Sequence, residues 1–243
     1  MAASRLFSRS EGREDHWIPI VDLMSGLMVL FLFIAVGYMA EVVASRDQLR
    51  GAAQSFEDTQ DRLYGRLQDE FRKDLTAWNA TIERSTLSVR FREPDVLFAA
   101  GEARLKPAFE AMLRDFFPRY LRTLDAFRPS IAEVRVEGHT SSEWAAGVTP
   151  EAAYFNNMRL SQDRTRAVLE FCMGLAESAP YRDWLIRTVT ANGMASSRPV
   201  IVFGREDKER SRRVEFRIRV DAESRIEGML GKRTALENAP TTR

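Results

Sequence analysis

The sequence predicts an α+β protein in three parts: a single N-terminal transmembrane helix, a helical stalk and a C-terminal βαβαβ domain. Three observations predict it. The run Leu23–Ala40 carries no charge and is long enough to cross a bilayer. Residues 41–84 are polar, contain no proline and carry an apolar stripe at helical spacing. Beyond Leu87, short alternating runs exchange with longer helical faces, the pattern of helices packed on one face of a sheet.

The first element is Ile18–Ala40, whose 23 residues include one charge, Asp22, and would span about 35 Å as a helix. A cleaved signal peptide would have a shorter apolar core and a small-x-small site, so a retained anchor is expected. Arg5, Arg9 and Arg13 precede it and Arg46 and Arg50 follow, which favours a cytoplasmic N-terminal segment over residues 1–17. A carboxylate deep in a bilayer costs about 2.5–3.5 kcal/mol on insertion scales, so such a group usually faces protein or water and carries function. Asp22 is then a protonatable carrier with Ser25 and Gly26 a turn onward, where small residues allow close helix approach. The competing reading is interfacial, since Asp22 lies only about 6 Å along the axis from Ile18.

The stalk is expected over 41–86. Leu49, Phe56 and Leu63 recur every seven residues, and Leu67, Phe71, Leu75, Trp78 and Ile82 continue at three and four. Continuous, it would extend about 65 Å; a self-associating stalk and a helix packed on the domain both fit the stripe. The domain is expected over 87–220. LSVRF (87–91), IAEVRVE (131–137), IRTVT (186–190) and RVEFRIRV (213–220) alternate as strands. Helices are expected over Lys106–Leu124, with Pro118 a kink or break, and over Asn157–Leu175, with Leu160, Ala167, Val168, Phe171 and Leu175 inward. Residues 221–243 read as a flexible tail.

Composition narrows the function. With 36 Lys+Arg against 35 Asp+Glu, net charge +1, there is no cationic excess for direct nucleic-acid binding. One cysteine excludes an internal disulfide, and two histidines leave little for a zinc site. His139 has no nucleophile or phosphate loop beside it, and Cys172 sits among apolar helix residues as packing. The expectation is a protein that is not an enzyme and has no cofactor or metal.

The polar series that remains resembles a known family. VLFAAGEARLKP (96–107), VEGHT (136–140), NNMRLSQDR (156–164) and RRVEFRI (212–218) look like the OmpA/MotB peptidoglycan-binding domain, in its order and spacing. DLMSGLMVLFLF (22–33) resembles the single helix of the flagellar stator protein MotB, with Asp22 at the ion-carrying aspartate. GHTSSEW, FFPRYL (116–121) and YFNNMRLSQDRT (154–165) are similar to the ZorB family, the stator-like subunits of Zorya anti-phage systems.

The resemblance implies an inner-membrane, single-pass homodimer with a periplasmic C-terminal domain. Its partner would be a ZorA/MotA-like multi-span subunit, five copies to two of this chain. Protons are the default ion; sodium stays open because Ser25 offers an oxygen near Asp22. The family's wall site binds diaminopimelate through an acidic residue after GHT and the arginine of LSxxR. Here Ser141 stands in the acidic position, Asn157 and Leu160 match the N-x-x-L-S motif, and Arg164 matches the arginine. Serine cannot neutralise the ligand's ammonium; Glu143, two residues on, is the available substitute. Arg212 and Arg213 fit the family's late, structural arginine pair. A flagellar MotB-type stator and a passive peptidoglycan tether are the alternatives.

Overall fold

The structure, a computed structural model, describes residues 17–92, 97–99 and 101–221. The chain divides into two compact units, Met1–Gly51 and Ala52–Arg243.

Helix α1 runs Trp17–Phe71. In the first unit its apolar residues are all exposed from Ile20 to Val43. Within the described residues, Ile20–Asp47 is the one segment long and apolar enough to cross a membrane. A helix that is apolar all round is stable only in a non-aqueous surround or against other helices.

The second unit is built on a five-stranded mixed sheet in the order β1-β2-β7-β3-β4. Its strands are β1 (Ala80–Glu83), β2 (Ser88–Arg92), β3 (Ile131–His139), β4 (Val189–Ala195) and β7 (Arg213–Val220). The last strand enters the middle, antiparallel to both β2 and β3, while β3 and β4 are parallel. Helix α2 (Pro107–Asp125) and helix α3 (Pro150–Gly174) complete the layer, α3 being the crossover between the two parallel strands. Strand alternation sends Val89, Phe91, Val134, Val136, Val214, Phe216 and Ile218 into the core with Phe109, Leu113, Phe116, Phe117 and Tyr120 of α2. Phe116 is the hub, 5.0 Å from Phe91 and 5.1 Å from both Phe216 and Phe71 between ring centroids.

Several expectations change here. The helical stripe stops at Phe71. Leu63, Leu67 and Phe71 are fully buried in the domain core, so from Leu63 onward the stripe is a packing face. Leu75 and Trp78 lie in turns, and Ile82 is in β1, an edge strand inside the expected 41–86 stalk. Pro118 does not break α2, which continues through it with the proline buried. Helix α3 begins at Pro150 rather than Asn157. Pro150 fits the first helical position, and the Thr149 hydroxyl accepts from Ala152 N at 3.3 Å.

The inward face of α3 is Ala153, Asn157, Ser161, Thr165, Val168 and Cys172; Leu160, Ala167 and Phe171 are only half-buried. Residues 186–188 of the expected IRTVT strand close helix α4 (Arg182–Thr188), so the strand starts at Val189. A short hairpin, β5 (Ile201–Val202) and β6 (Arg205–Glu206), precedes a helical turn, α5 (Lys208–Ser211). The expected tail over 221–243 lies outside the described residues beyond Asp221, which returns its N–H to Ser130 O at 2.9 Å.

Candidate functional site

The site region grows from two glycines. Gly138 near the end of β3 and Gly193 in β4 let α3 approach the sheet. A Cβ on Gly193 would clash with the Gln162 backbone, and one on Gly138 would lie 2.7 Å from Thr165 Cγ2 and 2.9 Å from Ser161 O. Side chains of α3 then bond directly to β4. Gln162 takes the Gly193 N–H at 2.7 Å and donates to Ala191 O at 3.0 Å, and Ser161 Oγ accepts from Ala195 N at 3.1 Å. The serine of the NNMRLSQDR motif is thus a fastener between helix and sheet.

Beyond β3 the chain turns into the 140–149 loop, starting where Thr140 N donates to Ala195 O at 2.9 Å. Asn157 is buried and its amide holds this loop, donating to Ser141 O at 3.2 Å and Glu143 O at 3.1 Å. Ser141 is buried, and Leu160 is half-buried one turn along α3 from Asn157. Arg164 lies seven residues past Asn157, about 10 Å along the helix. Its Nε donates to Glu102 O at 2.9 Å and its guanidinium stacks 4.9 Å over the Phe98 ring. The structure therefore joins Ser141 to Asn157 directly and seats Arg164 farther along the same helix, against the 97–102 segment. Glu143 is paired with Lys208 Nζ, so the carboxylate closest in sequence to Ser141 already has a cation. Asp22 is exposed on α1 in the other unit.

Sequence reasoning missed the charged face of the sheet, opposite the helices. Alternation places Arg90, Arg213, Glu215, Arg217, Arg135, Glu137 and His139 there, with Glu137 directly across from Glu215 and Arg135 from Arg217. Glu137, His139, Arg213 and Glu215 are buried. Like charges face each other across β3 and β7, so the balancing charges come from Arg90 directly across β2, from the next outward position of the same strand, and from the diagonal. Glu215 Oε1 accepts from Arg213 Nε at 2.6 Å and Arg90 Nε at 2.9 Å, and Glu137 lies 3.8 Å from both Arg198 and Arg217. Arg213 also donates to the carbonyls of Ser211 at 3.0 Å and Arg198 at 3.2 Å.

Burial opposes ionisation of both carboxylates. His139 and Arg217 nevertheless hold Glu137 below the usual carboxylate range, and Arg213 and Arg90 do the same for Glu215. Burial also dominates at His139 and holds its pKa below the ordinary value, with the Arg213 charge adding to it. Among the described residues, neither His139 ring nitrogen has a hydrogen-bond partner, nor do Glu137 Oε1 and Thr140 Oγ1. Glu137, His139 and Glu215 offer ligand atoms within 4.8 Å of one another. Four guanidiniums surround those carboxylates, which suits an ion-pair network and opposes a bound cation. Cys172 is buried and its thiol pKa is pushed up by burial, the state of an inert packing residue.

No protein-family model matches the chain. A MotB-like protein from Desulfovibrio vulgaris superposes on 69% of this chain and 98% of its own, with TM-score 0.50 and 21% identity, which establishes a common fold. The cell wall anchor of the T6SS from Pseudomonas aeruginosa covers 64% of this chain and 97% of its own at 24% identity, with TM-score 0.44. In sequence, the Zorya protein ZorB of Escherichia coli is 45% identical over 213 residues, 87% of this chain and 91% of that protein. At that identity over that length, the chain belongs to the ZorB family of Zorya proteins.

Proposed function

We infer that this chain is the stator-type B subunit of an inner-membrane, ion-driven motor that acts in anti-phage defence. The observation that carries the reading is the pairing, in one chain of the ZorB family, of an apolar span whose stretch Ile18–Ala40 holds a single carboxylate, Asp22, with a MotB-like domain. In this reading α1 crosses the inner membrane once, with the N-terminus cytoplasmic and the second unit periplasmic. Two chains pair, and their spans sit among five copies of a ZorA-like partner. Asp22 takes up and releases a proton as the partner moves. One charge crossing 100 mV supplies about 2.3 kcal/mol, so mechanical work accumulates over several transfers. The wall reaction is held by peptidoglycan, with Arg164 pairing a stem-peptide carboxylate and the Asn157-held loop at Ser141 receiving its other end. The chain itself catalyses no reaction and contacts no nucleic acid; its output passes through the partner to cytoplasmic effectors. Kinship with ZorB along nearly the whole chain favours this output over a flagellar one.

The test is phage plating on cells carrying the native gene neighbourhood, wild type against Asp22→Asn at matched membrane levels. Loss of protection in the variant alone is expected. Full protection in the variant would overturn the carrier role and leave a passive tether.

A further inference from the structure

Outside α1, the large hydrophobic side chains exposed among the described residues are Trp144, Val148, Phe155, Ile186, Ile201 and Phe203. Four of them, Trp144, Val148, Ile201 and Phe203, lie on just two segments: the 140–149 loop and the β5–β6 hairpin. Those segments are bonded to each other. Ser142 N donates to Glu206 Oε1 at 3.0 Å, the Ser142 hydroxyl donates to Glu206 Oε2, and Lys208 pairs with Glu143. The hairpin base is closed by Asp207 N donating to Val200 O at 2.8 Å.

At the hairpin tip, Phe203 (φ 49°) and Gly204 (φ 76°) are both left-handed, the geometry of a tight turn that favours asparagine or glycine at its first position. A phenylalanine there strains the backbone, and its ring stands wholly in solvent at 101% relative exposure. Neither feature helps the isolated fold. Trp144, 40% exposed, is the second ring on the joined segments. Exposed rings on two segments that are bonded together by polar side chains mark a binding surface.

We propose that Trp144 and Phe203 form a platform for the sugar backbone of peptidoglycan, a second subsite beside the stem-peptide site; the proposal rests on the wall-anchoring reading. Three points select this occupant. First, the loop that carries Trp144 is the one Asn157 holds at Ser141. A stem peptide is covalently attached to its sugar chain, and three extended residues reach only about 10 Å. Any strand whose peptide enters at that loop must therefore pass close to it. Second, a pyranose ring presents C–H faces that lie flat on aromatic rings and hydroxyls that meet a polar rim. Third, the charges of the joined segments balance: Glu143 pairs with Lys208 and Asp207 with Arg210, and Arg205 offsets Glu206 in sign. An uncharged amphipathic polymer suits such a surface better than an anionic one.

The test uses the full chain in detergent against three probes: disaccharide-peptide fragments of peptidoglycan, peptide-free glycan strands whose lactyl carboxylates are capped as amides so that they stay uncharged, and free diaminopimelate-containing stem peptide. Phe203→Ser and Trp144→Ala are expected to weaken glycan-strand binding by about 2- to 10-fold each and to leave stem-peptide binding unchanged. Arg164→Ala is expected to do the reverse. Because both rings are exposed, unchanged melting temperatures will show that the variants fold. Glycan strands that fail to bind the wild type, or bind the ring variants equally well, would overturn the platform. A shift of the ring variants in sedimentation without a change in glycan binding would do the same and make the rim an interface between copies. Failure of the stem peptide alone, with glycan binding intact, would instead remove the peptide site and leave the platform standing.

Discussion

Burial of His139 makes the domain sensitive to acid in a direction that the burial itself sets. Its pKa in the folded chain lies below the ordinary 6.5, so on acidification the unfolded chain takes up this proton first. Stability from this group is complete above about pH 6.5 and declines below it. Glu137 and Glu215, held below the ordinary 4.5 by Arg213, Arg90, Arg217 and His139, add a second decline as pH falls through 4.5. The melting temperature should fall in two stages between pH 7 and pH 4. His139→Gln should erase the upper stage, which sets in below about pH 6.5, and keep the lower one; a wild-type melting temperature with no decline before the lower stage would overturn the assignment. Gly193 makes a different residue-scale prediction. Gly193→Ala drives a methyl into the Gln162 backbone and should destabilise by about 1–3 kcal/mol, measured as a lower denaturant midpoint with unchanged slope.

At the scale of elements, the end of α1 is fastened by one residue. Arg119 of α2 donates to Glu70 Oε1 at 2.7 Å, Glu70 O at 2.7 Å, Asp74 Oδ2 at 2.8 Å and Asp115 Oδ2 at 3.1 Å, and its guanidinium lies 5.0 Å over Phe71. One guanidinium thus satisfies an orphan carbonyl at the helix C-terminus, hydrogen-bonds three carboxylates and covers Phe71, the last core aromatic of the helix. Arg119→Ala should speed amide exchange over residues 63–71 while leaving β3 and β7 protected; equal exchange in the two proteins would show that packing of Leu63, Leu67 and Phe71 suffices.

Much of this scale was legible in the sequence. The alternation of RVEFRIRV and IAEVRVE marks the two central strands because one face of each is apolar. The face of α3 was misphased for a physical reason: it meets the sheet at Gly138 and Gly193, where only small polar residues fit, so Ser161 and Thr165 point inward and Leu160 is displaced. Leu75, Trp78 and Ile82 kept helical spacing by coincidence, since the turns and β1 bury the same residues with another geometry. In the candidate site, Ser141, Asn157 and Arg164 were readable as a motif. The partners that orient them, Glu102 O, Phe98 and the loop carbonyls, are contacts made at long sequence separation and leave no local pattern.

At the scale of the whole molecule, the two compact units carry the two ends of the proposed machine: Asp22 in one, and the Asn157–Arg164 face of α3 in the other. An ion-driven stator needs both in series, because force generated at a carrier does no work unless its reaction is held elsewhere. Elements in series have a distinctive pattern of double substitution. Asp22→Asn should abolish phage protection while full-length chain still pellets with purified peptidoglycan. Arg164→Ala should reduce pelleting and protection together, with membrane level unchanged. The double variant should protect no worse than Asp22→Asn alone, since a disengaged drive has no force to lose. If protection survived in Arg164→Ala cells while pelleting was lost, wall attachment through Arg164 would lie outside the working path. If Asp22→Asn also lost pelleting, the carboxylate would be acting on the folding or assembly of the chain, and the series arrangement would be wrong.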